Sequence, residues 1–249
     1  MTRSRPTVLL TGGSGVLGTA LRAIDPTLIA PPRAELDVAD ARAVDAALDR
    51  YRPATVIHAA ALRGSRECET DPAACLAVNV GGTYHLARAC LGGRVRLVYL
   101  STDYVFDGER GGYAEDDPVD PVNLYARSKL AGELTVRTLG DSLVIRTAFY
   151  RRERWPWPTA FVDQFSSRLP VDLVAREVLR AAAGRLTGIV HIGGPRRSSY
   201  EIAREVDPAV RPIRLAAAGL RLPADVSLDS RRWRTFCDAA PSPEAGGGA

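Results

Sequence analysis

Lysine is all but missing from this chain of 249 residues: Lys129 is the only one among 33 lysines and arginines, so arginine carries nearly all the positive charge. Methionine occurs once and aromatic residues make up 6%. No apolar run approaches the ~18 residues that a membrane-spanning helix needs, which excludes a helical membrane protein. The N-terminal apolar run after Pro6 is about five residues, too short for a signal-peptide core, and reads as a first strand. The net charge is only +4, with arginines interleaved among acids. No basic block of the kind that grips nucleic acid is present. The four cysteines, Cys68, Cys75, Cys90 and Cys237, form no CxxC pair and have no histidine at ligand spacing. Disulfides and a metal centre are therefore not expected; free thiols suit a reducing, cytoplasmic setting. His58 and His191 each end an apolar run and read as structural histidines.

What is present is a strand–helix alternation. Short β-branched runs at residues 7–13, 54–61, 96–102 and 143–149 are separated by helical patterns at 16–24, 40–51, 72–91 and 123–139, with a weak strand at 28–30. The uniformly apolar strands imply a sheet covered on both faces. The spacing implies βαβ units and an α/β fold: a Rossmann-like doubly wound parallel sheet, followed by a small C-terminal lobe. The expected organisation is a dinucleotide-binding domain over 1–150, a small substrate-binding lobe over 151–240 that also contributes to the sheet, and a disordered tail over 241–249. After Phe149 the pattern breaks into the irregular, Pro-rich stretch Arg151–Pro158, followed by a helix at 170–183, a strand from Gly188 and a helix after Ser198.

The loop Thr11–Gly18 (TGGSGVLG) joins the first strand to the first helix. It fits GxxGxxG through Gly12, Gly15 and Gly18, and GxGxxG through Gly13, Gly15 and Gly18. Side chains there would block a pyrophosphate, and the helix start at Val16 and Leu17 offers free N–H groups and a positive dipole end. The acid that usually holds an adenosine 2′-hydroxyl is missing after the second strand, where Ala30-Pro31-Pro32-Arg33 stands. Arg33 can pair with a 2′-phosphate, which favours NADP over NAD, and Asp37 and Val38 can flank the adenine.

Tyr125 and Lys129 form YxxxK inside a predicted helix, so phenol and ammonium share one face. A phenol of pKa about 10 is a weak acid–base group at neutral pH, and a neighbouring cation favours its phenolate. A guanidinium is bulkier and fork-shaped, so lysine is not replaceable there by arginine. Eight tyrosines offer at most eight positions four residues downstream among 249, and the single lysine occupies one of them. The fourth strand ends Ser101-Thr102-Asp103-Tyr104, at the carboxyl edge where such sheets bind ligands.

Taken together with His58–Ala61 (HAAA), Ala77–Asn79 (AVN), Ser101–Gly108 (STDYVFDG), Tyr113–Asp117 (YAEDD), Tyr125–Glu133 (YARSKLAGE), Arg146-Thr147 and Asp163-Gln164, these motifs resemble the extended short-chain dehydrogenase/reductases, and within them the dTDP-4-dehydrorhamnose reductase branch. The resemblance implies a catalytic Thr102, Tyr125 and Lys129. It implies a cofactor lined by Ala59, Ala60, Ala61, Asn79 and Ser101, and a sugar touched by Asp103 and Tyr104, with Arg63 also on the substrate side. It implies NAD(P)H-dependent reduction of a nucleotide-activated 4-keto-deoxysugar, and leaves room for a homodimer. Arg151 or Arg152 would meet the diphosphate. The chain departs from the branch at Ala126, where a glycine usually follows the tyrosine, and in a substrate lobe much shorter than usual. Two other readings stay open: a non-catalytic NADP-holding regulatory subunit, and an NAD-dependent sugar-nucleotide epimerase or dehydratase.

Overall fold

In the computed structural model, which describes residues 6–239, five parallel strands form the central sheet. The first turn of the chain is β1 (Val8–Thr11), α1 (Val16–Ile24), α2 (Ala41–Tyr51) and β2 (Thr55–His58). Next come the short helices α3 (Ser65–Thr70) and α4 (Pro72–Cys75), a π-helical turn over Leu76–Gly81, α5 (Gly82–Gly93), β3 (Arg96–Thr102), α6 (Leu124–Val136) and β4 (Ser142–Thr147). Then follow the two- and three-residue strands β5 (Phe149–Tyr150), β6 (Thr159–Phe161), β7 (Phe165–Ser166) and β8 (Leu169–Pro170), α7 (Val171–Ala183) and β9 (Gly188–Ile192). The chain closes with β10 (Arg197–Ser198), α8 (Ser199–Val206), β11 (Arg211–Ile213) and α9 (Arg231–Ala239). The sheet order is β1-β2-β3-β4-β9, parallel throughout. This is the doubly wound α/β fold that the strand–helix alternation implies.

Neighbouring strand residues face opposite layers, so the middles of the five central strands are apolar on both faces. Leu10, Ile57, Val98 and Ile145 pack against α1, α7 and Trp233 on one face. Leu9, Val56, Leu97 and Tyr99 pack against α2, α5 and Val136 on the other. The small strands pair as β5 with β8, β6 with β11 and β7 with β10, and build a second lobe over the carboxyl edge of the sheet.

Three local differences from the sequence expectation have physical causes. The weak strand at 28–30 shrinks to one bridge, Ile29 opposite Leu9, because Pro31 and Pro32 follow and lack the N–H groups that a ladder needs. The helix expected over 72–91 starts at Pro72 with Asp71 as its cap, accepting from the Ala74 N–H at 3.0 Å, but widens into the π-helical turn around Asn79. Such bulges occur where a side chain must be aimed. Helix α9 has no counterpart in the sequence expectation because Arg231, Arg232 and Arg234 interrupt its apolar face, although Trp233 is buried and Phe236 and Cys237 pack on the core. The tail over 241–249 lies outside the described residues. Among the described residues, no helix is long and apolar enough to cross a membrane.

Candidate active site

The chain leaves β1, reaches Ile29 on one side of it, and returns through β2 on the other. The carboxyl ends of β1 and β2 are therefore a switch point with a crevice between them. Gly12 makes the turn there at φ +73°, and a Cβ on it would lie 2.6–2.8 Å from the backbone of Ala59 and Ala60. Gly18 allows α1 to sit on the same loop, since its Cβ would come within 2.2 Å of the Gly12 carbonyl oxygen. No side chain caps the start of α1 at Gly15, so its first N–H groups are available to an anion.

A cavity of about 280 Å³ runs along this crevice. Gly12, Gly15, Val16, Leu17, Gly18, Arg33, Asp37, Val38, Ala59, Ala60, Ala61, Ser101, Tyr125 and Lys129 all border it, as does Arg63. Its lining suits the pyrophosphate of a dinucleotide: a side-chain-free cradle at a helix start, then an apolar wall. Arg33 lies at the rim, 3.1 Å from Asp37 in an exposed pair. Partial burial works against the Asp37 charge, yet the Ala39 N–H and the Arg33 guanidinium together hold its carboxyl below the usual range.

Asn79 is placed differently from the other expected cofactor residues. It is buried beneath the loop after β2, accepting from the Leu62 N–H at 2.8 Å and donating to the Leu62 carbonyl at 2.9 Å and to Ser128 at 2.9 Å. It ties the wall of the crevice to α6. His58 does similar work from below. The Thr83 hydroxyl donates to the Asn79 carbonyl at 2.6 Å, so His58 Nε2 carries the hydrogen for its 3.1 Å contact with Thr83. Nδ1 then accepts from Thr11 at 2.7 Å, and Thr11 receives the Ala60 N–H at 3.3 Å. Burial, with Lys129 nearby, lowers His58 to about 3, so this ring is neutral.

Helix α6 carries Tyr125, Lys129 and Glu133 at four-residue intervals on one face. Asn123 caps it, accepting from the Ala126 N–H at 3.0 Å. Glu133 is fully buried, bidentate to Arg146 of β4 at 2.8–3.2 Å, and it accepts from Ser101. Lys129 is only 3% exposed, with Nζ 4.1 Å above the Tyr99 ring. Burial drives its pKa down to about 7, against the pull of Glu133. Tyr125 is half-buried; desolvation pushes its phenol well up, and the Thr102 hydroxyl beside it pulls the other way.

A second cavity of about 680 Å³ shares Val16, Arg63, Ser101, Tyr125 and Phe149 with the first. Thr102, Asp103 and Tyr104 form part of its wall; Gly64, Ser65 and Glu67 after β2, Thr147 at the end of β4, and several residues from Tyr150 to Arg168 supply most of the rest. Thr102 donates to Asp103 Oδ1 at 3.1 Å and accepts from the Tyr104 N–H at 3.2 Å. Asp103 is buried, which raises its carboxyl to about 6, with Arg168 opposing. Both Asp103 and Thr147 line this cavity; among the described residues, Asp103 Oδ2 and the Thr147 hydroxyl are buried without a hydrogen-bond partner. Gln164, which carried no role in the sequence reading, donates to the Tyr104 hydroxyl at 2.9 Å and accepts from Ser199 at 3.0 Å. The Tyr104 hydrogen is thereby left to point elsewhere.

Residues 6–178 match the RmlD substrate binding domain. The chain belongs to this family. The match spans the glycine loop, the strand end at Ser101–Tyr104 and α6. One family relative, the dTDP-4-keto-6-deoxy-D-glucose reductase of Streptomyces niveus, is 34% identical over 91% of this chain and 89% of its own length. The dTDP-4-dehydrorhamnose reductase of Streptomyces griseus is 41% identical, over 58% of this chain and 50% of that one. Among solved structures, a dTDP-4-dehydrorhamnose reductase from Bacillus anthracis in complex with NADP superposes with a TM-score of 0.85 at 25% identity, covering 95% of this chain and 93% of that one.

Proposed function

We propose that the protein is an NAD(P)H-dependent reductase of a nucleotide-activated 4-keto-deoxysugar. The observation that carries this reading is the meeting of two cavities at Tyr125. One holds the glycine cradle at the start of α1; the other is larger and is lined by Thr102, Asp103 and Tyr104.

When bound, the dinucleotide supplies the hydride. The chain's own residues manage the carbonyl oxygen that the hydride leaves charged. Desolvation keeps the Tyr125 phenol protonated at neutral pH. A developing alkoxide is a far stronger base than a phenolate, so the proton passes from Tyr125 to it. Thr102, at the end of β3, donates to the same oxygen and turns away from Asp103 to do so. Lys129 sits one helical turn from Tyr125. It regains its full charge when anionic groups enter the crevice, and then stabilises the phenolate left behind. Asn79, Glu133 and Arg146 hold the loop after β2, β3 and β4 in register with α6. Arg33 at the rim, with no acid at Ala30–Pro32 just after the Ile29 bridge, favours NADP over NAD. Within the small lobe expected over 151–240, which also supplies β9 to the sheet, Arg151, Arg154–Trp157 and Arg168 border the cavity that would receive the sugar-nucleotide.

The test is NADPH consumption with a dTDP-4-keto-6-deoxysugar by the wild type and by Tyr125→Phe. The phenylalanine variant keeps the ring but cannot give a proton. We expect it to bind NADPH normally and to lose at least about a hundredfold in rate. If both proteins bind NADPH and both are inert on a panel of such sugars, the chain is a cofactor-holding module and not a reductase.

A further inference from the structure

The segment Arg151–Pro158 (RRERWPWP) has the composition of a loose loop, yet it is anchored. Trp155 is only 7% exposed. It packs on Ala160, Ile202, Ala203 and Val210 of the second lobe, and its Nε1–H donates to the Thr159 carbonyl at 3.3 Å. Two residues on, Trp157 is 58% exposed, although it borders the larger cavity. Its ring meets Trp155 edge-on, at 5.4 Å and 72°. Pro156 and Pro158 flank it and fix the backbone on both sides. A large apolar surface is thus held rigidly at a cavity mouth with one face towards solvent, and nothing in the fold uses it.

The arginines of the segment divide in two. Arg152 is turned outward to Asp172 at 3.4 Å and does not border the cavity. Arg151 and Arg154 do border it, and neither makes an ion pair among the described residues. With Arg63 and Arg168, four arginines border the cavity against two acids, Glu67 and Asp103. That excess suits a diphosphate, which guanidinium groups bind in bidentate fashion. The cavity wall contains no asparagine or glutamine, the residues best suited to read the edge of a nucleobase.

From this arrangement we infer that Trp157 is the stacking platform for the nucleobase of the substrate, with Arg151 and Arg154 taking the diphosphate beside it. The inference rests on the nucleotide-sugar reading above and adds which residues recognise the nucleotide and how. Recognition is through the face of the base rather than its edge. Stacking tolerates any base because every base has a π-face, so the site distinguishes thymine from uracil poorly.

The experiment is calorimetric titration of the NADP-saturated protein with dTDP, UDP and inorganic pyrophosphate. It compares the wild type with Trp157→Ala, Trp157→Phe, Arg151→Ala/Arg154→Ala and Arg152→Ala. The wild type should bind dTDP and UDP within about threefold of each other. Trp157→Ala should weaken both about tenfold or more and leave pyrophosphate unchanged, while Trp157→Phe, which keeps a ring, should stay within about threefold. The double arginine variant should weaken all three ligands, and Arg152→Ala should weaken none. Wild-type binding of dTDP that Trp157→Ala leaves intact would overturn this inference alone. So would a preference above tenfold between dTDP and UDP. A wild type that binds neither nucleotide would overturn the nucleotide-sugar reading itself.

Discussion

Replacing Lys129 by arginine tests the site where its physics is most specific. The side chain is 3% exposed, and its one charged-group contact of note is the Tyr99 ring, 4.1 Å from Nζ. Burial lowers its pKa from 10.5 to about 7. At about 1.4 kcal/mol per pKa step, that drop means the buried ammonium is disfavoured by up to ~5 kcal/mol relative to water. Losing the proton does not avoid this cost: at pH 7, deprotonating a group whose ordinary pKa is 10.5 costs nearly as much, so lysine saves only about 0.4 kcal/mol there. A guanidinium meets a similar charge penalty, and Lys129→Arg adds the cost of forcing a longer, forked group into a well-packed site, ~1–3 kcal/mol. At this chain length that is a fall of roughly 5 °C in Tm. Lys129→Met, neutral and similar in length, should melt at or above the wild-type temperature while losing reductase activity. Because the chain has one lysine, selective labelling with ¹³Cε-lysine gives a single resonance, and its titration reads the pKa directly. A lysine signal that titrates above pH 9, or a Lys129→Arg protein as stable as the wild type, would refute the reasoning.

Arg33→Ala should lower NADPH affinity about tenfold and leave NADH affinity unchanged, measured by fluorescence titration; an equal loss for both would remove Arg33 from the 2′-phosphate. Thermal stability should fall as pH drops from 7 to 5. His58, lowered to about 3, and His191, lowered to about 4, are neutral in the fold but take up protons once unfolded. The unfolded chain binds more protons between those values and about 6.5, so their contribution is complete above 6.5 and is lost on acidification. Asp103, raised to about 6, has the opposite slope, which leaves a net dependence near that of one histidine, about 1.4 kcal/mol per pH step. A Tm that is flat or rises towards pH 5 would contradict this.

The parallel sheet was legible because its strands are apolar on both faces and its helices carry recognisable starts, such as Asp40 and Asn123. The crevice was legible because Gly12 and Gly18 stand where no side chain fits. What remained hidden depends on tertiary contact. Leu28–Ala30 has the residues of a strand, but its length is set by the prolines after it. Asn79 carries the right motif, yet its amide is spent on Leu62 and Ser128, and only the fold reveals that it positions the wall rather than forming it. Gln164 lies sixty residues from Tyr104, and no periodicity links them. Arg151 and Arg152 are alike in sequence; the direction of each side chain separates a cavity residue from a surface ion pair with Asp172. The isolated lysine was a compositional oddity whose burial over Tyr99 could not be read from spacing.

The most direct test of the account is the fate of the hydride. NADPH deuterated at the transferable position of C4, incubated with the protein and a dTDP-4-keto-6-deoxysugar, should yield a sugar carrying deuterium on its former carbonyl carbon, with stoichiometric NADP formed. A sugar altered without deuterium and without net cofactor oxidation would contradict the reductase assignment and point to internal hydride recycling, as in an epimerase or dehydratase.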